Sequence, residues 1–134
     1  MVLFLQLKER LEDCINSDLA NNVGNLAQRV LALIQKNCQA KIPENKVEDK
    51  LANEIIAEGR GLLALVTKDI DNLQFSNYLE KVISLSNRAN EYIDERAPWA
   101  LKKTDIPQME SVLYNLLEMI KIISTYLIPL YHYL

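Results

Sequence analysis

Polar side chains recur at helical spacing in one part of the chain, and its single tryptophan follows a proline in another. The polar strip has the 4-3-4 spacing of one helix face and consists of Asp18, Asn22, Asn25 and Arg29. Asparagine lowers helix propensity, whereas solvated faces usually carry Lys and Glu. Asn and Arg pair with base edges, and an unstacked base settles on an aromatic ring such as Trp99. These residue types indicate a base pocket if their helices are neighbours; a solvated face is the alternative.

Trp99 lies in the segment RANEYIDERAPWALKKTD, residues 88–105. A tryptophan after a proline at a helix exit is either a platform presented to a ligand or a plug in the core. Tyr92 is interpreted as a core residue. Lys102 and Lys103 follow the ring, and they either contact backbone phosphates or are ordinary solvent-exposed surface residues.

The composition describes one soluble globular domain. The chain has 134 residues, of which 49% are hydrophobic and 25% charged, and only three glycines and four prolines are available for turns. Helices are therefore favoured over strands. The net charge of −3 opposes a protein that coats phosphates, because such proteins carry clustered Lys and Arg. Any contact with nucleic acid must then be local.

Four periodic apolar patterns predict the helices that position these residues. The first helix ends near Asn37, the second and third span about 44–74 and 75–95, and the fourth begins near Asp105. The predicted core faces are, in chain order, Leu19, Val23, Leu26, Val30 and Ile34; Val47, Leu51, Ile55 and Ile56; Leu79, Val82, Ile83, Ala89 and Ile93; and Met109, Val112, Leu116, Ile120 and Ile123. The pattern predicts an all-α helical bundle of four to five helices.

The last predicted helix carries its own boundary residues. Asp105 is expected to cap it, with Pro107 in the first turn, and Pro129 is expected to bend or end it. Its apolar run from residue 120 onward is interrupted by Lys121 and is shorter than the ~20 residues that a membrane span needs. We therefore expect no membrane insertion, but self-association through this C-terminal helix.

The sequence contains no recognisable catalytic or metal-binding motif. It has no phosphate-binding glycine loop, no Ser-His-Asp set and no Cys/His cluster for zinc. Cys14 and Cys38 are not in CxxC spacing, and no disulfide is expected between them. Together with the absence of signal-peptide features in the first residues, this favours a cytoplasmic location. No catalytic residue, metal ligand or cofactor of this chain is predicted.

Two segments carry a family resemblance. DLANNVGNLAQRVLALI (18–34) and ANEYIDERAPWALKK (89–103) resemble the anticodon-binding helical bundle of methionyl-tRNA synthetase, a class I aminoacyl-tRNA synthetase. In that family a GNL-x-x-R stretch and a later N-x-Y-[IV]-D-E-x-x-P-W stretch supply the anticodon pocket, and both occur here. The resemblance covers residues 15–127.

The resemblance implies roles for six residues. Trp99 would stack on the wobble cytosine of the CAU anticodon, while Asn25 and Arg29 would contact edges of the anticodon bases. Three further residues resemble the positions that support the tryptophan loop, namely Asn90, Asp94 and Pro98. For Asp94 and Pro98 the alternative is that they simply end a helix.

The resemblance also implies partners and a missing activity. Class I synthetases activate the amino acid on a Rossmann-type domain with HIGH-like and KMSKS-like sequences, and neither string occurs here. The related enzyme is an ATP-dependent methionine–tRNA ligase, whose ATP and methionine would bind a catalytic domain outside this chain. The chain alone is expected to be inactive. Its implied partners are the anticodon stem-loop of methionine tRNA and a synthetase catalytic domain.

The two ends of the chain depart from the family pattern. We divide the sequence into an atypical helical segment, 1–14, and an anticodon-binding bundle, 15–134, whose last residues, 129–134, are also atypical. Two other functions remain open: a helical protein-interaction module, and an accessory protein that binds tRNA in trans without ligase activity. Self-association without RNA binding would favour the first, and capture of a catalytic fragment would favour the second.

Overall fold

The chain folds as a bundle of α-helices throughout the part that can be described. A computed structural model describes residues 19–39, 41–71 and 75–133, together with the isolated residues 2, 6 and 9. The three continuous ranges contain five helices and no strand: α1 (Ala20–Asn37), α2 (Lys50–Asp71), α3 (Phe75–Arg96), α4 (Pro98–Thr104) and α5 (Ile106–Tyr133). The predicted all-α bundle is confirmed. The division at residue 14, and the predictions for Asp18 and Cys14, lie outside the described residues.

Helix α5 is the central helix of the bundle, since it packs against each of the other four. Helices α2 and α3 also pack on one another, and α1 contacts α3 and α4. The predicted stripe of α1 is buried as expected, with Leu26 and Val30 fully inaccessible. The remaining predicted faces are buried or half-buried against the same core, apart from Val47. The 3.6-residue period thus located the core face of every long helix.

The start of α2 differs from the prediction. The helix begins at Lys50 rather than near residue 44, and Val47 is exposed in the preceding loop instead of belonging to the core face. The backbone N–H groups of Lys46 and Val47 donate to the Ser111 hydroxyl oxygen at 2.7 and 2.8 Å. This contact with α5 satisfies two amides outside any helix, which local sequence could not reveal.

Asp105 caps α5 as predicted, since its Oδ1 accepts a hydrogen bond from the Gln108 N–H at 3.2 Å. Pro107 lies in the first turn, where its missing N–H costs nothing. Pro129 does not end the helix, because α5 continues to Tyr133, and the alternative that it bends the helix stays a prediction.

Helix α4 is a short element that the four apolar patterns did not predict. Pro98 is its first residue, so this proline begins one helix where it had been considered as the end of another. Trp99 therefore lies in the first turn of α4. The single residue Ala97 separates α4 from α3.

Candidate functional site

The polar strip of α1 faces the neighbouring helix α3 along part of its length. The Asn22 side-chain amide donates to Asn87 Oδ1 at 3.2 Å, and two turns later Arg29 reaches Asp94. Asn25 lies between these two contacts. It is exposed, and no hydrogen bond ties its amide to another described residue. The strip is therefore partly structural and partly open to a ligand.

Arg29, Asp94 and Trp99 meet at one surface, and we call them the Trp99 cluster. Arg29 Nη2 donates to Asp94 Oδ1 at 2.9 Å, and the guanidinium carbon lies over the Trp99 ring, 5.5 Å from its centroid. Their side chains remain 42% and 66% exposed for Arg29 and Asp94, respectively. An ion pair so exposed contributes at most about 1 kcal/mol to stability. The cluster is poorly explained as a device that stabilises the fold.

The Trp99 ring is held at the surface by its position on α4. It is 39% exposed, whereas Pro98 next to it is buried. Leu101, in the following part of α4, packs against the core. Buried neighbours thus anchor the short helix while part of the indole faces outward, which is the arrangement a stacking platform requires.

The remaining predicted site residues are placed as follows. Asn90 donates from its side-chain amide to the Ser86 carbonyl oxygen, one turn earlier in α3, at 3.0 Å. This hydrogen bond lies within α3, so Asn90 can support the tryptophan loop only by stabilising its own helix. Lys102 and Lys103 lie in the last turn of α4, half-buried and exposed respectively. The roles of Asn25, Arg29, Trp99 and their neighbours in binding remain predictions.

A second cluster of the same residue types was not found from the sequence. We call it the Tyr92 cluster, and it consists of Asp49, Tyr92 and Arg96. Asp49 Oδ2 accepts from Arg96 Nε and from the Tyr92 hydroxyl, each at 2.9 Å, while Oδ1 accepts from Arg96 Nη2 at 3.1 Å. The Arg96 guanidinium also lies 5.5 Å from the Tyr92 ring centroid. Tyr92 is 1% exposed, so its predicted place in the core is confirmed.

Asp49 has a further role as the cap of α2. Its Oδ1 accepts from the N–H groups of Leu51 and Ala52 at 3.1 and 3.3 Å. Hydrogen bonding to Arg96 lowers the pKa of Asp49 to about 2, against the opposing effect of burial. Burial raises the pKa of Tyr92, and hydrogen bonding to Asp49 raises that of Arg96. An aspartate just before an apolar-periodic run is a cap signal that could have pointed to Asp49. Nothing in the local sequence indicated its pairing with Arg96, 47 residues away.

Two further features are absent from the part of the chain that the structure covers. Among those residues no group of three or more His, Cys, Asp or Glu side chains is placed to hold a metal ion. No helix there combines the length and apolar character of a membrane span.

Comparisons with known proteins place methionine–tRNA ligases among the relatives of this chain. No protein-family model matches the chain. The methionine–tRNA ligase of Caldanaerobacter subterraneus subsp. tengcongensis is 37% identical over 123 residues, which is 90% of this chain and 19% of that protein. The methionine–tRNA ligase of Rickettsia conorii is 40% identical over 118 residues, or 86% of this chain and 23% of that protein.

Solved structures give the same answer. Mycobacterium tuberculosis methionyl-tRNA synthetase in complex with methionyl-adenylate superposes with a TM-score of 0.81 at 30% identity, over 91% of this chain and 25% of that one. Its apo form superposes with a TM-score of 0.80. Fold and sequence together define the chain as a helical domain of the class I aminoacyl-tRNA synthetases. Within that class it belongs to the methionyl-tRNA synthetase family, and it spans about a fifth to a quarter of the length of the relatives that it matches.

Proposed function

We propose that this chain recognises the CAU anticodon of methionine tRNA, as the anticodon-binding part of a methionine–tRNA ligase. The observation that carries the proposal is the partly exposed Trp99 ring beside the Arg29 guanidinium. Family membership supports the ligand, since the relatives are named for charging methionine tRNA. In this proposal the chain binds methionine tRNA in the cytoplasm.

Each residue of the surface supplies a different contact in this proposal. Trp99 offers a ring face to the wobble cytosine, which stacks on it. Arg29 has five N–H donors, and Asp94 fixes the orientation of the guanidinium while engaging one nitrogen, so that others can reach a base edge. Asn25, one helical turn before Arg29, has a free amide with both donors and an acceptor.

Catalysis in this proposal belongs to a separate domain. The chain carries neither a HIGH-like nor a KMSKS-like string, so ATP and methionine bind a synthetase catalytic domain, and this chain adds affinity for the anticodon. Self-association through the C-terminal helix stays a prediction, since side chains beyond Leu127 lie outside the described residues. Sedimentation at increasing concentration would show it, and a constant monomer mass would rule it out.

The test compares binding of a CAU stem-loop with binding of a loop whose wobble base is changed. Trp99→Leu, Arg29→Ala and Asn25→Ala should each weaken CAU binding by about 1–3 kcal/mol and reduce the preference for CAU. Leucine is used because about three fifths of the Trp99 surface is covered, and alanine would also remove packing.

Arg60→Ala is the matched control. Arg60 forms an exposed ion pair with Glu118 at 3.4 Å, like that of Arg29, but it joins α2 to α5 rather than lying beside the tryptophan. It should leave CAU binding unchanged. Wild-type protein that fails to distinguish the two loops would refute the proposal and favour the protein-interaction module.

Salt dependence provides an independent check. With a net charge of −3, binding should rely on stacking and base-edge contacts and release few counterions. A plot of log affinity against log salt should therefore be shallow, with a slope of about −1 to −3. A steep slope would place the interface on another, more basic surface.

A further inference from the structure

The direction of the Trp99 helix is set at one residue. Ala97 has φ 45° and ψ 64°, in the left-handed region. Its N–H donates to the Ile93 carbonyl at 2.9 Å, continuing the hydrogen bonds of α3, while its own carbonyl accepts from the Ala100 N–H at 2.9 Å, beginning those of α4. The two helices thus meet at Ala97 with no linker between them.

This conformation is unfavourable for alanine. The left-handed region costs a residue with a Cβ about 1–2 kcal/mol, and it persists where the surrounding structure fixes the chain on both sides. On the α4 side, Pro98 is buried and has a restricted φ. On the α3 side, the residue next to Ala97 is Arg96, which belongs to the Tyr92 cluster.

The Tyr92 cluster ties the last turn of α3 to the start of α2. Tyr92 and Arg96 are four residues apart on one face of α3, and both bind the Asp49 carboxylate. Asp49 is itself fixed, because it caps α2 through two backbone N–H groups. Two parallel guanidinium contacts restrain orientation as well as distance. The chain therefore leaves α3 from a clamped turn.

Asp94 links this turn to the ligand surface. It lies two residues before Arg96, about 200° around the helix, and it holds Arg29 on α1. The last turn of α3 thus carries a residue of each cluster, on opposite sides of the helix.

We propose that Asp49 and Arg96 are positioning residues for Trp99, clamping the α3 exit so that the left-handed turn at Ala97 presents the ring to an RNA base. This inference rests on the proposed function of the Trp99 surface. Neither residue needs to touch the RNA. Loss of the clamp should let α4 sample other directions, and affinity should fall because the platform is no longer pre-organised.

The test uses the full chain and its single tryptophan as the reporter. Asp49→Asn keeps an oxygen that can cap α2 but removes the charge that holds Arg96, and Arg96→Gln removes the other partner. Each should weaken CAU stem-loop binding about tenfold, the equivalent of 1.4 kcal/mol. In the free protein each should also shift Trp99 emission and make it easier to quench with acrylamide.

Three further variants separate positioning from a general loss of stability. Glu118→Gln breaks the Arg60 ion pair between α2 and α5 and should change neither affinity nor emission. Arg96→Lys keeps the charge and should recover part of both. The double variant Asp49→Asn/Arg96→Gln should be little worse than either single one, since the two residues act as a unit.

Tyr92→Phe keeps the buried ring and removes the hydroxyl, which donates to Asp49 at 2.9 Å and accepts from the buried Asn115 amide at 3.5 Å. It leaves both charges in place, so it reports on the clamp if the charge variants fold poorly. It should produce a smaller change in emission and affinity, in the same direction.

The outcomes distinguish this inference from the proposed function. If the wild-type chain binds CAU while the clamp variants keep its affinity or its emission, Asp49 and Arg96 do not position Trp99. If the wild-type chain binds no CAU loop, the proposed function fails. In that case the emission of the clamp variants still decides whether the cluster holds the ring in place.

Discussion

The Trp99 cluster and the Tyr92 cluster are built from the same three parts but are buried to different extents. Each joins one arginine, one aspartate and one aromatic ring, with the guanidinium 5.5 Å from the ring centroid. In the first, the arginine and aspartate side chains are 42% and 66% exposed; in the second, they are 25% and 12% exposed. Trp99 is 39% exposed, against 1% for Tyr92.

The difference shows that burial, rather than residue identity, separates a surface available for binding from a structural clamp. In the Tyr92 cluster the Asp49 carboxylate accepts from side chains and from two backbone amides, so little of its capacity is left for a ligand. In the Trp99 cluster Asp94 holds Arg29 through one nitrogen, and much of both side chains is exposed. The carboxylate of the Tyr92 cluster thus has its hydrogen-bonding capacity filled by the protein, whereas the Trp99 cluster keeps part of that capacity for a ligand.

Truncating the two rings should give the largest contrast. Tyr92→Ala should lower the free energy of unfolding by about 3–5 kcal/mol, because a fully buried ring is lost. Trp99→Ala should lower it by only about 1–2 kcal/mol, because part of that ring already faces solvent. Chemical denaturation of both variants measures this. Equal losses would mean that Trp99 is a core plug and would end the distinction between the clusters.

Removing the two aspartates should give a similar but smaller contrast. Asp49→Ala deletes a helix cap and leaves Arg96 without its partner, with an expected loss of about 2–4 kcal/mol. Asp94→Ala removes an exposed ion pair and should cost less than about 1 kcal/mol. Urea midpoints at neutral pH would test the pair, and an Asp94→Ala loss as large as that of Asp49→Ala would contradict it.

Acid titration should test the Tyr92 cluster without truncating any side chain of the core. The pKa of Asp49 is about 2 in the folded chain and 3.8 as its ordinary value, so its stabilisation is complete above the ordinary value and disappears as the pH falls through the folded one. The contribution lost between roughly pH 5 and pH 1 is about 2 kcal/mol. Its partners Arg96 and Tyr92 do not titrate in this window, because their pKa values are raised.

The matched variant for the acid titration is Asp49→Asn. Plots of unfolding free energy against pH should be flatter for Asp49→Asn than for the wild type. Parallel curves for the wild type and Asp49→Asn would show that the carboxylate is not stabilised as described.

The smallest effect is expected at the joint between the clusters. Ala97→Gly relieves the left-handed strain and should raise the free energy of unfolding by about 0.5–1 kcal/mol. The same change frees the turn, so CAU affinity should not rise with stability and should fall slightly. Thermal melts and binding measurements on one preparation would show the opposite signs. Higher stability together with tighter binding would argue against a rigid joint.

Much of the fold followed from local periodicity. The apolar spacing of α1 located its buried stripe and its end at Asn37, and Asp105 was recognised as the cap of α5. These features depend on residues within a few positions of each other. The start of α2 did not follow, because the segment before Lys50 is held by Ser111, more than 60 residues away. Helix α4 has seven residues, too few for a periodic pattern.

The candidate site was predicted as a set of residues but not as a geometry. Helical spacing and the family resemblance indicated Asn25, Arg29 and Trp99, and the structure brings Arg29 to the ring. The pairing of Arg29 with Asp94 was not foreseen, since it depends on how α1 packs against α3. For the same reason the sequence did not predict the Tyr92 cluster, because the contact of Asp49 with Arg96 depends on how the start of α2 packs against the end of α3.

The shared residue between α3 and α4 has a consequence for how this domain tolerates changes of length. Each residue added to an α-helix turns everything after it by about 100°. An insertion of one residue between Asp94 and Trp99 would therefore swing the indole away from Arg29, even though no existing side chain had changed. A residue inserted near Ile42, in the loop between α1 and α2, should only lengthen that loop. In relatives that keep both side chains, we therefore expect alignment gaps in that loop and none in the junction.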